Sequence, residues 1–582
     1  MGTGTAPNIP QTIEGYNRMW VARMQEQLAF RQAQGKTFNR LYRTLTWAKL
    51  VDVAINKVLK NKGSRTPGID GETRKDYQDW EQRKKLRNQI ISELRHHQYS
   101  PNPVRRVYIP KPNKPGEKRP LGIPTIKDRV VQEMLKLILE PIYEGKFHPH
   151  SYGFRPFRST HHAVERIKFI TRWNYEWVVE GDIKSFFDKV NHDTLLSIIN
   201  RTIKDPDILE LIQILLKAGV LTEQGWEISD MGTPQGGIIS PLLGNIYLNE
   251  LDWYVSKMYE DLPQRRRNKA KYKVFIVRYA DDWTVLVKGT KQQAMEIKQI
   301  ISEFLQANLH LRLSEDKTLI THIVNGIDFL GFNIRRYYRQ NKASTLIKPS
   351  KKALQKFWQT TKRIRRMLFY MPDELWIATM NSYLRGFGEY YRRVNSKTTF
   401  NRLDYYLWWN IFYTTMKRYC TRGRTLRRKH HRKHYIAYKY DANKRNRRFG
   451  KDNFGVWIDK EKKRARIVDS LIHYPIEYEP KHSQLNPYIK EEREKLEENK
   501  RLKKLMSDIR FQQLHIHPEY GQDWQQIRLD VVKRDRGRCR ICGKHTTWKS
   551  FIVTMSSNSP DSLVTLCRNC YNKTYKRQLA KN

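Results

Sequence analysis

Residues 274–287, VFIVRYADDWTVLV, constrain the fold more tightly than any other stretch of the chain. Two short apolar, β-branched runs flank a polar corner, Tyr279-Ala280-Asp281-Asp282, and this pattern predicts a β-hairpin. Adjacent aspartates between strands this apolar are costly, because like charges repel and their desolvation is poorly compensated. A plain surface turn would more often use Asn-Gly or Asp-Gly. Two readings follow: a solvated acidic turn, or a carboxylate pair that holds a divalent cation, which prefers oxygen ligands.

A second acidic position upstream favours the cation. Trp177-Val178-Val179 begins another buried-looking strand and leads to Gly181-Asp182-Ile183-Lys184-Ser185-Phe186-Phe187-Asp188. A strand ending in an aspartate, set beside the hairpin, supplies the minimum for two magnesium ions. Two ions about 3.5–4 Å apart can activate an attacking hydroxyl and stabilise a leaving pyrophosphate. In these residues the chain resembles a reverse transcriptase palm. Asp182 matches the first catalytic aspartate and Tyr-Ala-Asp-Asp the second acidic motif. The resemblance implies that Asp182, Asp281 and Asp282 are catalytic and, with Ile183, hold two Mg2+ ions.

Bulk properties agree with a nucleic-acid enzyme. The 582 residues predict several domains, and 39% hydrophobic content suffices for real cores. Lys and Arg number 110 against 59 acidic residues, a formal +51. Such a charge repels itself in the compact state unless a polyanion neutralises it. Interleaved Tyr and Trp suit base stacking as well as phosphate contact. No apolar run approaches a membrane span and the first residues lack a signal pattern. The expectation is a soluble, cytoplasmic protein without a membrane partner.

Along the chain, residues 1–35 are helical in tendency, and 38–60 carry Leu41, Leu45, Leu50, Val53 and Val58 at helical spacing. Residues 61–71 form a loop rich in turn residues, and 80–97 a further amphipathic helix. Residues 105–111 alternate like a strand and 118–124 return, predicting a hairpin whose Lys111, Lys118 and Arg119 would hold a triphosphate. No Gly-x-x-x-x-Gly-Lys occurs, so a P-loop is excluded.

The resemblance extends over most of the chain and narrows to bacterial group II intron-encoded proteins. Ser151-Tyr152-Gly153-Phe154-Arg155-Pro156 resembles their fingers motif. Gly232-Thr233-Pro234-Gln235-Gly236-Gly237, followed by Ser240-Pro241-Leu242-Leu243, resembles their template- and nucleotide-positioning motif. Glycines at 236 and 237 permit close approach of backbone to a ligand. Leu313-Ser314-Glu315-Asp316-Lys317-Thr318 and Phe329-Leu330-Gly331-Phe332 match the last two palm motifs. The resemblance implies nucleotide binding by Lys111, Lys118, Arg119, Phe187, Gln235 and Lys317, and a primer grip of Phe329, Leu330, Gly331 and Phe332. Phe187 stands where these enzymes exclude the ribose 2′-hydroxyl. The alternative places Phe187 in the core and turns Phe186 to the sugar, because successive strand residues face opposite ways.

Residues 350–418 are helical, with Leu354, Phe357, Trp358, Ile364 and Leu368 at helix spacing, and resemble the thumb, or maturase domain. Leu384–Arg392 is close to that domain's signature, and Tyr405, Tyr406, Trp408 and Trp409 are expected in its core. Residues 417–451 are dominated by Arg, Lys and His with Tyr435, Tyr438 and Tyr440 interspersed, which predicts a nucleic-acid contact. Residues 486–508 mix both charge signs like an exposed linker helix.

The C-terminus reads as a separate module. Cys539-x-x-Cys542 and Cys567-x-x-Cys570 supply four thiolates at zinc-site spacing, leaving Cys420 as an inert thiol. The approach to the first pair, Val532–Arg538, resembles an HNH endonuclease domain. An active HNH site needs a histidine base and further His or Asn metal ligands. Here the family's His-His strand is Phe551–Met555, its Asn is Ser562, and Tyr571 and Tyr575 stand where histidines belong. His545 alone lies between the pairs, in a loop position poor for a base. A folded zinc domain that does not cut is therefore expected.

The resulting expectation is a multidomain α/β chain with a right-hand polymerase. Residues 1–100 form an N-terminal extension and the helical start of the fingers, 101–170 the fingers, 171–345 the palm and 346–420 the helical thumb. A basic DNA-binding region with its linker helix (421–520) and the zinc domain (521–582) follow. Expected activities are copying RNA into DNA and assisting intron splicing, with intron RNA, target DNA, dNTPs, Mg2+ and Zn2+ as partners. Oligomeric state is open. The alternatives are a stand-alone reverse transcriptase in a defence role and a splicing factor with a dead polymerase.

Overall fold

The computed structural model describes residues 12–110, 116, 118–222, 225–227, 231–232, 236–340, 342–418, 435–437, 454–459, 464–474, 476, 484–511, 530–545, 551–554, 563–567 and 570. Lys111, Gln235, Cys420, Ser562, Tyr571, Tyr575 and nearly all of the basic stretch after 418 lie outside these residues. The chain divides into two compact units. One is Met1–Ile327 with Lys481–Arg493, and the other Asp328–Pro480 with Glu494–Asn582. None of the described helices is long and apolar enough to cross a membrane.

The first unit is built from helices on two small sheets. Helices Ile13–Ala33, Ala48–Lys60, Trp80–Arg95 and Ile126–Glu144 pack together. Ile126–Glu144 is buried along almost its whole length, its start capped by Thr125, which accepts from the Asp128 N–H. The expected helix over 38–60 is broken into Tyr42–Leu45 and Ala48–Lys60, because Trp47 is extended (φ −84°, ψ 118°). Leu41, Leu45, Leu50 and Val58 are nonetheless buried and Val53 partly so, which puts the spaced residues on the inward face.

Strands β1 (Val104–Pro110) and β2 (Lys118–Ile123) form the expected antiparallel hairpin. β3 is Trp177–Gly181, and the short strands β4 (Val220–Thr222) and β5 (Gly225–Glu227) extend the first sheet in the order β2-β1-β4-β5. The second sheet has the order β6-β7-β3-β8, from Lys273–Tyr279, Asp282–Lys288, Trp177–Gly181 and Leu319–His322. β7 is buried at each of Trp283 to Val287. This run, apolar except for buried Thr284, reflects burial of both strand faces rather than alternation. The helix Ser240–Met258 packs on β6, and Lys291–Leu309 on β3 and β8. A capping box of Thr290 with Gln293 starts the latter helix, and His310 in the left-handed region ends it.

The second unit carries a sheet of β9 (Ile327–Phe329), β10 (Phe332–Arg339) and β11 (Lys342–Pro349). Three helices follow, Lys351–Arg366, Asp373–Tyr391 and Lys397–Arg418. Of the spaced residues, Phe357, Ile364 and Leu368 are buried, and Leu354 and Trp358 only partly so. Trp408 is buried too, but Tyr405 and Tyr406 are 42% and 45% exposed. The expectation that all four aromatics are core fails for this pair, because a single helix cannot turn residues 405 and 406 inward along with 403, 404, 407, 408 and 411. The linker helix is Lys490–Phe511.

Candidate active site and cysteine cluster

Register brings the three aspartates together. β6 and β7 close at the pair Tyr279↔Asp282, leaving Ala280 and Asp281 as a two-residue loop. Ala280 takes φ 58°, the left-handed value usually left to glycine at such a position. On its other edge β7 pairs with β3, with Gly181 opposite Trp283. Asp182 is one residue beyond that pair, at the end of the sheet that also carries the loop. The Asp182 carbonyl accepts from the Ser314 N–H at 2.8 Å, and Lys184 N–H donates to the Arg312 carbonyl at 3.0 Å. The segment Leu313–Lys317 is thereby tied to the strand end.

The electrostatics are those of crowded carboxylates. Burial first, and then the charge of Asp182, pushes the Asp281 carboxyl above its usual range. Asp282 reaches solvent on one side, yet the protein around it and the charges of Asp281 and Asp182 raise it to about 6. Arg119 and Lys317 act against these shifts. Lys317 Nζ lies 2.8 Å from Asp182 Oδ2, so this lysine pairs with a predicted catalytic carboxylate. Among the described residues only the four cysteines form a group whose ligand atoms all lie within 4.8 Å. An all-carboxylate set of this kind matches a hard divalent cation.

The remaining expected residues divide between the two units. Lys118 and Arg119 stand exposed at the start of β2. Phe186 is 3% exposed, whereas Phe187 is only partly buried. Both sit in a one-turn helix, Phe186–Lys189, entered through Ser185 at φ 50°. The strand alternation weighed for this pair thus does not apply. Gly236 adopts φ 115°, and a Cβ there would meet the Gly122 carbonyl at 2.4 Å. The close approach it permits is to the chain's own β2. In the second unit, Leu330 and Gly331 take positive φ between buried Phe329 and Phe332. The hydroxyls of Tyr390 and Tyr391 donate to the Leu330 and Gly331 carbonyls at 3.1 and 3.2 Å. The maturase-like signature thus holds the Phe329–Phe332 segment expected to be a primer grip, a link that sequence reasoning missed.

Arg278 was also missed, although an arginine inside VFIVRY is a visible signal. It is fully buried and paired with Asp252 at 2.6 Å.

The four cysteines converge as expected. Gly543 N–H donates to the Cys539 carbonyl and Cys539 N–H to the Lys544 carbonyl, both at 2.8 Å, closing a tight turn through Gly543 at φ 66°. Burial opposes the Cys539 thiolate, but backbone N–H groups of Cys567, Cys542 and Ile541 bring the thiol down to about 6. The strands Phe551–Thr554 and Leu563–Leu566 pair antiparallel. Thr565 N–H donates to buried Asp535 at 2.7 Å, and Arg540 N–H to the Thr565 carbonyl at 3.0 Å. His545 is exposed.

Two family models match. Residues 109–334 match the reverse transcriptase (RNA-dependent DNA polymerase) family, and residues 354–436 the maturase-specific domain of group II introns. Protein YkfC of Escherichia coli K12 is 38% identical over 58% of this chain and 94% of its own length. The group II intron-encoded protein LtrA of Lactococcus lactis subsp. cremoris is 35% identical over 64% and 73%. A 91 kDa protein in the cob intron of Schizosaccharomyces pombe is 31% identical over 61% and 51%. Family membership brings a right-hand polymerase fold and use of a divalent metal, and the maturase match tells against a stand-alone defence enzyme. A polymerase motif with its carboxylates intact, followed directly by a maturase domain, means that the chain belongs to the group II intron-encoded reverse transcriptases and maturases.

Proposed function

We propose that this chain binds the RNA of its own group II intron, assists its splicing, and copies it into DNA at a target site. The observation that carries the reading is the convergence of Asp182 with the Asp281-Asp282 loop at one end of the sheet. Asp182, Asp281 and Asp282, with Ile183 beside them, would hold two magnesium ions. These ions supply activation of the primer 3′-hydroxyl and charge stabilisation at the leaving pyrophosphate. The protein's part is to set the carboxylates in place. Lys118, Arg119 and Lys317 offer charge to the triphosphate, as would Lys111, while Phe187, the more open of the two rings, faces the sugar. Phe329 to Phe332 would grip the primer. Residues 101–170, 171–345 and 346–420 would be fingers, palm and thumb.

For the C-terminal module we infer zinc on Cys539, Cys542, Cys567 and Cys570, since four converging thiolates are the usual donors of a closed structural site. It would stabilise the fold and contact DNA without cutting it, because the positions for a histidine base and its partners hold Phe551–Met555, Ser562, Tyr571 and Tyr575.

Asp281→Asn tests the central reading. Primer extension on an RNA template with Mg2+ should fall by several orders of magnitude. Intron RNA binding and splicing should persist, and binding should weaken steeply with salt as phosphate contacts are lost. Primer extension at ordinary rates by that variant would refute the assignment.

A further inference from the structure

Arg278 lies two residues before Ala280, with none of its side chain exposed. Its Nε donates to both carboxylate oxygens of Asp252, at 2.8 and 2.9 Å, and Nη2 donates to Asp252 Oδ2 at 2.6 Å. Nη1 donates to Asn245 Oδ1 and to the Ala280 carbonyl, each at 2.9 Å. Asp252 and Asn245 are themselves buried, about two turns apart on the helix Ser240–Met258. Asn245 Nδ2 completes the chain of contacts by donating to the Gly153 carbonyl at 2.8 Å.

The loop around Gly153 is bound to the same place through its backbone. Arg278 N–H donates to the His150 carbonyl at 3.0 Å, and Tyr152 N–H to the Arg278 carbonyl at 2.9 Å. A Cβ on Gly153 would fall 2.3 Å from Ala280 N, so this loop presses directly on the aspartate turn.

A buried ion pair is a poor device for stability alone, since desolvation offsets most of its attraction. What the guanidinium does here that a hydrocarbon could not is donate to the Ala280 carbonyl. That oxygen belongs to the peptide unit whose nitrogen is Asp281's own, so holding it sets the direction in which the Asp281 backbone leaves the turn. The unit is strained, with Ala280 at φ 58°, and a strained conformation persists only where its surroundings over-determine it.

We propose that Arg278 is a positioning residue for the catalytic turn. Clamped by Asp252 and Asn245, it holds the Ala280–Asp281 peptide so that the Asp281 carboxylate meets the metal beside Asp182 and Asp282. This rests on the reading of those three aspartates as the metal-binding set.

Arg278→Lys keeps the charge for Asp252, but one ammonium cannot span Asp252, Asn245 and the Ala280 carbonyl as a planar fork does. The full-length variant is compared with wild type by circular dichroism, by Mn2+ titration followed through the paramagnetic resonance of the free ion, and by primer extension over a range of Mg2+. With the fold retained, Mn2+ affinity and kcat should each fall about 10–100-fold, the range for residues that orient metal ligands. The KM for dNTP should move far less, and raised Mg2+ should restore part of the rate. Folded Arg278→Lys with wild-type Mn2+ affinity overturns the proposal, as does a rate that merely tracks the folded fraction.

Should Arg278→Lys not fold, Asn245→Ala carries the test, because it leaves the ion pair whole. It should weaken Mn2+ binding in the same direction, and unchanged affinity overturns the proposal. Asp281→Asn, run alongside, separates the two ideas. If it polymerises and binds Mn2+ normally, the aspartate reading fails. If it is dead while Arg278→Lys is normal, only the positioning role fails.

Discussion

Trp283 occupies the space that a side chain at Gly181 would need, for a Cβ there would lie 2.0 Å from the indole. The two residues face each other across β3 and β7, one step before Asp182 and one step after Asp282. Gly181→Ala must therefore move the ring or part the strands directly behind the carboxylates. Overpacking of this kind costs about 1–3 kcal/mol. Thermal denaturation should show that loss, and primer extension should fall further than the folded fraction does. Trp283→Leu in the same chain should return most of the stability by making room. A Gly181→Ala protein with normal stability would show that the ring moves freely.

Phe186 and Phe187 should separate cleanly by experiment. Their rings meet edge to face at 4.9 Å, but Phe186 is 3% exposed and Phe187 is partly open. Phe187→Ala should raise ribonucleotide incorporation relative to deoxynucleotide, with modest loss of stability. Phe186→Ala should instead destabilise by about 3–5 kcal/mol, as for a buried ring, with selectivity unchanged. Competition between GTP and dGTP in single-turnover extension measures the first effect. Equal selectivity in wild type and Phe187→Ala would remove the sugar-gate role from Phe187.

Zinc should report on the C-terminal module. Elemental analysis of the purified chain should give about one zinc per molecule, and Cys542→Ser should lower it. Chelation should expose residues 530–570 to protease, since the Cys539 turn and the strand Leu563–Leu566 are joined through Asp535 and Arg540. With intron RNA and a duplex carrying the insertion site, no bottom-strand cleavage should occur. Cleavage that disappears on deletion of residues 521–582 would prove the nuclease alive.

Asp404 predicts a pH effect on stability. Its carboxylate accepts from Leu471 and Ile472 N–H groups at 2.9 and 2.7 Å, but burial dominates and raises it from 3.8 to about 7. Between those values the folded chain binds more protons than the unfolded one. The contribution of this residue is thus fully favourable below pH 3.8 and is lost as pH rises towards 7. The greatest slope for one such group is about 1.4 kcal/mol per pH unit. Asp404→Asn cannot ionise, so the difference in stability between wild type and this variant should change across that window. A difference that stays constant would mean that Asp404 keeps an ordinary carboxylate pKa in the fold.

The sequence alone determined the elements whose pattern is local. The hairpin around Ala280-Asp281, the strand ending at Asp182, the β1–β2 hairpin and the four-cysteine spacing could all be read in order, because period and turn chemistry repeat over a few residues. Where the pattern was ambiguous, tertiary structure decided. Residue order offers Phe186 and Phe187 as strand neighbours, but a left-handed Ser185 starts a helical turn there, and packing leaves Phe187 the more open ring. Aromatic content points Tyr405 and Tyr406 to the core, but it cannot say how wide a helix face its neighbours cover. Above all, VFIVRY displays an arginine but not its partner. Asp252 lies 26 residues earlier, on a helix that meets β6 only once the sheet has formed. A buried charge must find its counter-charge in space rather than along the chain, so the contacts of Arg278 with Asp252, Asn245 and the Ala280 carbonyl exist only in the folded protein.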